Sequence, residues 1–391
     1  MDIADAPLIP SPSVNIRNLV LVTETWPPEI NGVAMTLQRL IHGLLVRGWQ
    51  VQVVRPRQKN EVLAINSGIE HILVPGLPIP GYAGLRFGMP MLQKLRAAWK
   101  KQRPHVVHIA TEGPLGWAAL KVARSLGIPV TSSFHTNFHR YCKHYRIGWL
   151  RGLVSKHLRD FHNESALTMV PNATLSHALL EDDYRNVVVL GRGVDSGLFS
   201  PDQRCNELRA EWGLDNNDLA VIYVGRIAAE KNLHLVIKGF EVIQRCKPSA
   251  RMIWVGSGPE LKKLQKQHPE HIFCGPHLGE SLARHYASAD LFLFPSMTET
   301  FGNVVTEAMA SGLAVVAYDY AAAEMFIRNE ENGLLIPFGD QAKFIEASAS
   351  LAANGKRIRQ LGMAASATVN GHSWDKVFNQ FDSYLRQVSV A

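Results

Sequence analysis

Two glutamates stand eight positions apart in the segment SMTETFGNVVTEAMASG, residues 296–312. Glu299 lies in a short polar loop after an apolar run, and Glu307 lies in the helical pattern that follows. Asn303 is a good N-cap, so the sequence predicts a helix capped by that residue. Free N–H groups at a helix start bind phosphate, whereas carboxylates repel phosphate and accept hydrogen bonds from sugar hydroxyls. The segment fits a phosphorylated sugar, although a loop acid and an acid that favours the helix dipole would give the same pattern.

Two cations form a second candidate site in GRIAAEKN, residues 225–232, directly after the apolar run LAVIYV. Gly225 allows a ligand to approach the backbone closely, and Arg226 and Lys231 lie beside one predicted helix start. Two fixed cations at such a position suit a diphosphate. A solvated helix cap with neighbouring acidic and basic residues remains the alternative reading of the same letters.

Apolar, β-rich runs alternate with helix-period segments along the chain, which is typical of parallel α/β units. Runs between residues 18 and 195 predict a first sheet, and runs between residues 219 and 320 predict a second. The polar, turn-rich stretch 196–218 predicts a hinge and a first helix between them. Two doubly wound domains follow, with ligand sites expected at the carboxyl ends of their strands.

Composition limits the class of protein. The chain has 391 residues, of which 46% are hydrophobic and 19% are charged, so two ordinary globular domains are expected. Its four cysteines form no C-x-x-C pair, which favours reduced thiols in the cytoplasm over disulfides or structural zinc. The first residues do not resemble a signal peptide, and no apolar run reaches the ~18 residues of a membrane span.

Charge is distributed unevenly along the chain. Residues 1–197 contain 22 lysines and arginines against 13 acidic residues, whereas the remainder is slightly acidic. Within the first part, residues 140–162 alternate basic and apolar residues at helical spacing, which predicts an amphipathic element on an anionic membrane. A helix packed in the domain core is the alternative. The basic run 86–104 favours the membrane, and no nucleic-acid-binding motif is present to explain the charge.

A zinc site is a weaker hypothesis. His135, His139, Cys142 and His144 lie close together in the sequence, but the chain has 16 histidines and no matching second cluster. We therefore predict no metal site.

The ordered motifs GRIAAEKN, WVGSGPE, SMTETFGNVVTEAMASG and AEMFIRNEENGLLIPFGD resemble the C-terminal domain of family 4 glycosyltransferases. The resemblance extends to TETWPPEINGV, HVVHIATEGPLG, SFHTNFHRYCKHY and RGVD in the first half, so it covers nearly the whole chain. It implies the GT-B fold, in which two doubly wound Rossmann-like domains face a central cleft. The implied domains are 1–197 for the acceptor, 198–370 for the nucleotide sugar, and a C-terminal helix, 371–391, that crosses back to the first.

The resemblance also implies roles for individual residues. Arg226 and Lys231 would bind the diphosphate of the nucleotide sugar, Glu299 would bind its sugar hydroxyls, and Glu307 would bind the ribose. His135 would approach the sugar. Backbone groups around the ligand would come from a set of loop and helix-start residues: Asn31, Gly32, Gly225, Phe301, Gly302, Asn303, Val304 and Val305.

The implied reaction is transfer of a hexose with retention of configuration by front-face attack, with fixed positive charge stabilising the leaving diphosphate. No cofactor or divalent metal is expected, since the protein itself supplies the cations. The partners would be a GDP- or UDP-sugar, with mannose favoured over glucose, and a membrane lipid at the cytoplasmic face. Alternatives are a soluble glycan-elongating transferase and a protein that binds nucleotide sugars without transfer.

Two positions depart from the usual motifs. A Gly-Gly pair often follows the first strand in this family, and here it is Asn31-Gly32. A Gly-Gly pair often precedes the last motif glutamate, and here Ala321-Ala322-Ala323 precedes Glu324.

Overall fold

The computed structural model describes residues 17–29, 31–58, 68–78, 86–135, 151–215 and 217–389. Within these ranges the chain forms two compact units. The first takes its residues from 1–133, 160–168 and 382–391, and the second from 134–159 and 169–381. The domain boundaries expected from the sequence stay a prediction.

The first sheet has seven strands in the order β3-β2-β1-β6-β7-β8-β9. From β3 to β7, neighbouring strands in this order pair in parallel. The central strands are rich in valine, leucine and isoleucine and are buried on both faces, as expected for a parallel sheet covered by helices. The strands are β1 Arg17–Val22, β2 Trp49–Pro56, β3 Ile69–Val74, β6 Val106–Ile109, β7 Val130–Ser133, β8 Leu167–Val170 and β9 Val187–Val189.

Two short strands, β4 (Gly76–Pro78) and β5 (Arg86–Gly88), form a separate antiparallel pair in the first unit. The sequence analysis did not predict this ribbon, since three-residue strands carry too little periodicity to detect.

The helices that accompany the first sheet begin with α1, whose N-cap is Asn31; its side-chain oxygen accepts a hydrogen bond from the N–H of Ala34 at 2.9 Å. Leu95 and Trp99 of α2 and the apolar face of α3 pack in the core beside Val22 and Val107. The helices are α1 Gly32–Val46, α2 Leu92–Lys101, α3 Pro114–Ser125, α4 Arg151–Asn163 and α5 Ala173–Glu181.

The second sheet has six parallel strands in the order β12-β11-β10-β13-β14-β15. The order reverses direction between β10 and β13, so the loops that follow these two strands diverge at a switch point, where open α/β sheets bind ligands. The strands are β10 Ala220–Val224, β11 Arg251–Val255, β12 Ile272–Gly275, β13 Leu291–Phe294, β14 Ala314–Tyr318 and β15 Leu334–Ile336. The first five were predicted, and the short β15 was missed.

Helices with apolar faces cover the second sheet and form one continuous core with it, in which Trp254, Tyr223 and Phe292 are fully buried. The helices are α6 Asn206–Glu211, α7 Leu233–Cys246, α8 Leu261–Gln267, α9 Gly279–Ser288, α10 Asn303–Ala310, α11 Ala322–Phe326, α12 Gln341–Ala352 and α13 Gly355–Val369. A last helix, α14 Trp374–Ser389, follows α13 in the chain. Short 3-10 turns occupy Pro201–Gln203 and Ala229–Lys231.

The predicted N-cap at Asn303 is wrong. Helix α10 begins at Asn303, and its N-cap is Gly302, which has a φ of 89° and makes no side-chain cap bond. A left-handed cap favours glycine, because a Cβ there would crowd the backbone. The helix start thus keeps its N–H groups clear of a capping side chain.

The basic amphipathic element lies partly outside the described residues, which omit 136–150 and with them Arg140, Lys143, Arg146, Trp149 and Leu150. The zinc candidates His139, Cys142 and His144 lie outside them as well. In the described part, α4, Leu158 and Phe161 are buried, and Phe161 meets the Trp117 ring edge-on at 5.2 Å. Leu153 on the same helix is exposed. The C-terminal half of α4 therefore uses its apolar residues in the core.

Candidate active site

The site in the second unit is built by the loops that follow β10 and β13. Lys231 Nζ donates to Glu299 Oε1 at 2.5 Å, and both side chains are about 15% exposed. Ser296 Oγ donates to the same carboxylate oxygen at 2.8 Å. The structure therefore brings together a cation and an acid that are 68 positions apart in the sequence.

Two further contacts join these loops. Asn232 Nδ2 donates to the carbonyl oxygen of Pro295 at 3.3 Å, and Thr298 Oγ1 donates to that of Glu230 at 3.4 Å. Asn232 is buried and has a left-handed backbone conformation, with a φ of 58°. It lies where the chain passes from the 3-10 segment into α7. The Lys231–Glu299 pair thus lies on a connected loop framework.

Arg226 reaches towards Glu230, with Nη1 3.5 Å from Oε1, and is more exposed than Lys231. The carbonyl oxygen of Arg226 accepts a hydrogen bond from the Tyr223 hydroxyl at 3.0 Å. Burial raises the pKa of Tyr223 well above its usual value, and the nearby charges of Glu299 and Glu230 add to this. Tyr223 therefore stays a neutral hydrogen-bond donor that holds the loop after β10.

Two glycines, Gly256 and Gly258, allow the loop after β11 to pack closely against the loop after β10. A Cβ at Gly256 would lie 1.9 Å from the carbonyl oxygen of Gly225, and one at Gly258 would lie 2.2 Å from that of Ile227. The WVGSGPE motif, to which the sequence analysis gave no role, thus packs the loop after β11 directly against the loop after β10.

His135 follows β7 and belongs to the second unit. Its carbonyl oxygen accepts a hydrogen bond from Thr300 Oγ1 at 2.6 Å, next to Glu299 in the chain. Its Nδ1 lies 3.2 Å from Arg192 Nη2, and because a guanidinium can only donate, Nδ1 is an acceptor. The proton of the neutral ring therefore sits on Nε2, which makes His135 a hydrogen-bond donor at that atom.

Arg192 lies in the RGVD motif and is a further residue of the candidate site that was not predicted from the sequence. Besides His135, its guanidinium binds the carbonyl oxygens of Leu190 and Gly191, each at 3.0 Å. Burial lowers its pKa to about 10, so it remains charged at neutral pH. A buried arginine was not foreseeable from the sequence, because its partners are two backbone carbonyls and a distant histidine.

The segment from Phe301 to Val305 forms the start of α10. The Phe301 ring is buried and meets Phe326 edge-on at 6.2 Å, and its carbonyl oxygen accepts a hydrogen bond from Ala322 N at 2.8 Å. Glu307, further along α10, accepts a hydrogen bond from the Tyr286 hydroxyl at 3.3 Å. Phe326 and Ala322 thus fix the segment before the helix, and Tyr286 fixes Glu307.

Ala321, which stands where the family resemblance leads us to expect glycine, has an unusual backbone conformation. Ala321 has a φ of 56° and a ψ of −126°, a conformation that glycine adopts easily and alanine does not. The alanine is therefore strained at this position.

A second group of buried acids lies at the carboxyl ends of strands in the first unit. One oxygen of Glu24 is 3.3 Å from the N–H of Gly88, and the N–H of Leu115 also donates to this carboxylate. Burial raises the pKa of Glu24 to about 7. Glu112 Oε1 lies 3.2 Å from His162 Nε2, and His162 Nδ1 lies 2.9 Å from Ser132 Oγ. Glu24 and Glu112 were not predicted from the sequence, although each follows a buried strand.

Asn31 and Gly32 lie in the same unit, at the start of α1. The Asn31 amide nitrogen donates to Thr25 Oγ1 at 2.7 Å while its oxygen caps the helix, so this side chain fixes the loop after β1.

One group in the described part of the chain has metal-ligand residue types: His268, Glu270 and His271. Trp254 Nε1 donates to His271 Nδ1 at 3.2 Å, which puts the proton of the neutral ring on Nε2, the nitrogen 3.5 Å from Glu270. A metal would need the lone pair of that nitrogen. Burial lowers the pKa of His271 to about 4, and the group lies at the amino end of β12, away from the loops after β10 and β13. It serves as a hydrogen-bond network.

Comparison of this structure with solved structures establishes the fold class. The chain superposes on the sucrose-phosphate synthase of Thermosynechococcus elongatus with a TM-score of 0.79 at 19% identity, covering 95% of this chain and 98% of that one. The fold is therefore GT-B, as the sequence predicted, with two Rossmann-like sheets.

Two family models match in sequence order: "Glycosyltransferase Family 4" over residues 30–198 and "Glycosyl transferases group 1" over residues 205–368. A GDP-mannose-dependent alpha-mannosyltransferase of Corynebacterium glutamicum is 30% identical over 374 residues, covering 95% of this chain and 89% of that protein. An alpha-monoglucosyldiacylglycerol synthase of Streptococcus pneumoniae is 27% identical, covering 76% and 70%. The chain belongs to glycosyltransferase family 4, and it is a retaining hexosyltransferase that uses a nucleotide sugar.

Proposed function

We propose that the protein transfers mannose from GDP-mannose to a membrane lipid with retention of configuration and without a divalent metal. The Lys231–Glu299 pair at the switch point of the second sheet carries the proposal. Similarity to a GDP-mannose-dependent mannosyltransferase supports the choice of sugar donor, and similarity to a glucosyldiacylglycerol synthase supports a lipid acceptor.

The pair explains how one site would serve a diphosphate and a sugar. In the structure Glu299 neutralises Lys231 at 2.5 Å. An arriving diphosphate carries more negative charge than a carboxylate, so Lys231 would turn to the phosphate and Glu299 would be released to accept hydrogen bonds from sugar hydroxyls. Both groups would then be used only when the nucleotide sugar is bound.

The leaving diphosphate would be stabilised by fixed positive charge. Lys231, Arg226 and the N–H groups at the start of α10 would receive the charge that develops on the phosphate oxygen as the glycosidic bond breaks. Gly225 and Gly302 would allow the phosphates to approach the backbone, together with Phe301, Asn303, Val304 and Val305. Glu307, held by Tyr286, would accept a hydrogen bond from a ribose hydroxyl.

His135 would contribute through Nε2. Because Arg192 fixes the proton on that atom, His135 would donate a hydrogen bond to a sugar hydroxyl and would not act as a general base. Asn31 and Gly32 would present the loop before α1 to the diphosphate. No helix in the described part of the chain has both the length and the apolar character for a membrane crossing. Because residues 1–197 carry a clear excess of lysine and arginine, we propose peripheral attachment at the cytoplasmic face through this basic first half.

Calorimetric titration without added metal tests the choice of nucleotide. We expect micromolar binding of GDP and GDP-mannose, with UDP and UDP-glucose at least about tenfold weaker. Transfer of labelled mannose from GDP-mannose into organic-extractable lipid then tests the acceptor. Tighter binding of UDP would reverse the donor proposal, and label that appears only in water-soluble glycans would reject the lipid.

A further inference from the structure

The antiparallel ribbon of β4 and β5 exposes two large apolar side chains on one face. Leu77 pairs directly with Phe87, and directly opposed residues in such a pair project to the same side. Leu77 is 58% exposed and Phe87 is 39% exposed. The outer face of the ribbon is therefore apolar and open to solvent.

A pair of glycines lies on the inner face of the ribbon. Gly76 pairs with Gly88, and a Cβ at Gly88 would lie 2.7 Å from a methyl carbon of Leu115 in α3. A Cβ at Gly76 would lie 2.8 Å from the Cβ of Pro56 in β2. The ribbon thus packs closely on the first unit at its glycine pair, and Leu77 and Phe87 lie on its other face.

Hydrogen bonds hold the ribbon in this orientation. The Arg86 guanidinium donates to the carbonyl oxygen of Gly76 across the pair. Met89 N donates to the carbonyl oxygen of Pro75 at 2.8 Å, and Gly88 N donates to Glu24 at 3.3 Å. The apolar face is therefore a fixed feature of the first unit.

Apolar exposure continues into α2. Met89 and Leu92 are 38% and 40% exposed, so four of the eleven large exposed apolar residues in the described part of the chain lie between 77 and 92. We call Leu77, Phe87, Met89 and Leu92 the apolar ribbon surface. Exposed apolar residues grouped in this way mark a binding surface.

The chain around this surface carries only positive charge. No aspartate or glutamate occurs from residue 71 to residue 111, whereas six lysines and arginines do. Exposed members on or next to α2 are Lys94, Arg96, Lys100, Lys101 and Arg103. A partner for this region must therefore combine apolar material with negative charge.

We propose that the apolar ribbon surface inserts into the headgroup and upper acyl region of an anionic lipid bilayer, with the cations of α2 on the lipid phosphates. Four side chains are too few for a stable protein interface, which buries about 800 Å² per partner. A bilayer needs only a few inserted apolar side chains together with several cations. The proposal deepens the function proposed above and rests on it, since a lipid acceptor is presented at such a surface.

Vesicle co-sedimentation of the full chain tests the proposal, with phosphatidylcholine vesicles that contain or lack about one third phosphatidylglycerol. We expect wild-type protein to bind the anionic vesicles at least about tenfold more tightly than the neutral ones. The double variant Leu77→Ser/Phe87→Ser should bind anionic vesicles roughly 25-fold more weakly, since each removed apolar side chain contributes roughly a factor of five. The matched control Leu180→Ser/Met363→Ser, at two exposed apolar positions elsewhere, should bind as wild type does.

Three results would overturn the proposal. These are failure of the wild type to bind anionic vesicles, unchanged binding of the ribbon variant, and a wild-type dimer in sedimentation velocity that the ribbon substitutions dissociate. The last result would make the surface an interface between copies of this chain.

Nucleotide binding separates this proposal from the proposed function. The Leu77→Ser/Phe87→Ser variant should bind GDP in solution with unchanged affinity, which also reports that it is folded. If this variant loses vesicle binding and still binds GDP, the result supports membrane insertion by the apolar ribbon surface. If wild-type protein binds vesicles but not GDP, the proposed sugar donor is wrong, and the proposal that the apolar ribbon surface binds the bilayer is unaffected.

Discussion

Acidic side chains at the carboxyl ends of the two sheets are neutralised in opposite ways. In the second unit, Glu299 faces Lys231, a flexible cation that can leave for a ligand phosphate. In the first unit, Glu24 is bound by backbone N–H groups and packed against Gly113, whose Cβ, if present, would lie 2.2 Å from the carboxylate. Backbone partners cannot move away, so Glu24 is held in place. Glu299 is thus an acid that can exchange its partner for a ligand, whereas Glu24 is an acid that stabilises the arrangement of its loops.

The largest expected effect comes from removing the exchangeable cation. Lys231→Met should lower kcat roughly 100- to 1000-fold, because the diphosphate loses a positive charge in the transition state. Steady-state kinetics of mannosyl transfer measures this. Lys263→Met, at an exposed lysine on α8, is the matched control and should leave kcat unchanged. A loss of less than about threefold in Lys231→Met would remove this lysine from the site.

The fixed acid should affect stability more than turnover. Because burial raises the pKa of Glu24 to about 7 from its ordinary 4.5, the folded state holds this proton more tightly than the unfolded state does. Stability therefore falls as the pH rises from about 4.5 to 7, and the loss, about 3 kcal/mol at most, is complete above pH 7.

Glu24→Gln should remove that contribution to the pH dependence, as urea unfolding at pH 5 and pH 8 would show. Glu70→Gln, at an exposed acid on β3, is the control and should follow the wild type at both pH values. An undiminished fall in stability between pH 5 and pH 8 in Glu24→Gln would mean that another group causes it.

A substitution at Arg192 tests whether this buried cation, like Glu24, is held in place by its hydrogen-bond partners. Arg192→Lys keeps the charge but cannot hold His135 and two carbonyl oxygens at once, so we expect a roughly tenfold lower kcat. Arg185→Lys, at an exposed arginine, is the control. Urea unfolding of both variants reports their stability. A lower kcat of Arg192→Lys accompanied by a matching loss of stability would indicate a packing role alone.

The smallest effect concerns the strained alanine. Ala321→Gly should raise the free energy of unfolding by about 1 kcal/mol, because glycine adopts the positive φ without strain. Urea unfolding measures this, with Ala353→Gly as a control, since Ala353 has an ordinary φ of −88° at the end of α12. The control should be neutral or destabilised, and destabilisation of Ala321→Gly as well would contradict the strain.

Sequence by itself determined the fold class and most strands of the two large sheets, because buried parallel strands read as continuous apolar runs. It also placed Arg226, Lys231 and Glu299 in the loops after two of these strands and Glu307 in the helix that follows, so the candidate site could be predicted from local pattern, and the roles of its residues stay predictions. Tertiary structure alone decided the Lys231–Glu299 pair, the tautomer of His135 set by Arg192, and the Gly302 cap in place of Asn303. It also decided the ribbon, where Gly76 and Gly88 turn Leu77 outward. These features depend on which distant segments the fold brings into contact, and no local periodicity records such contacts.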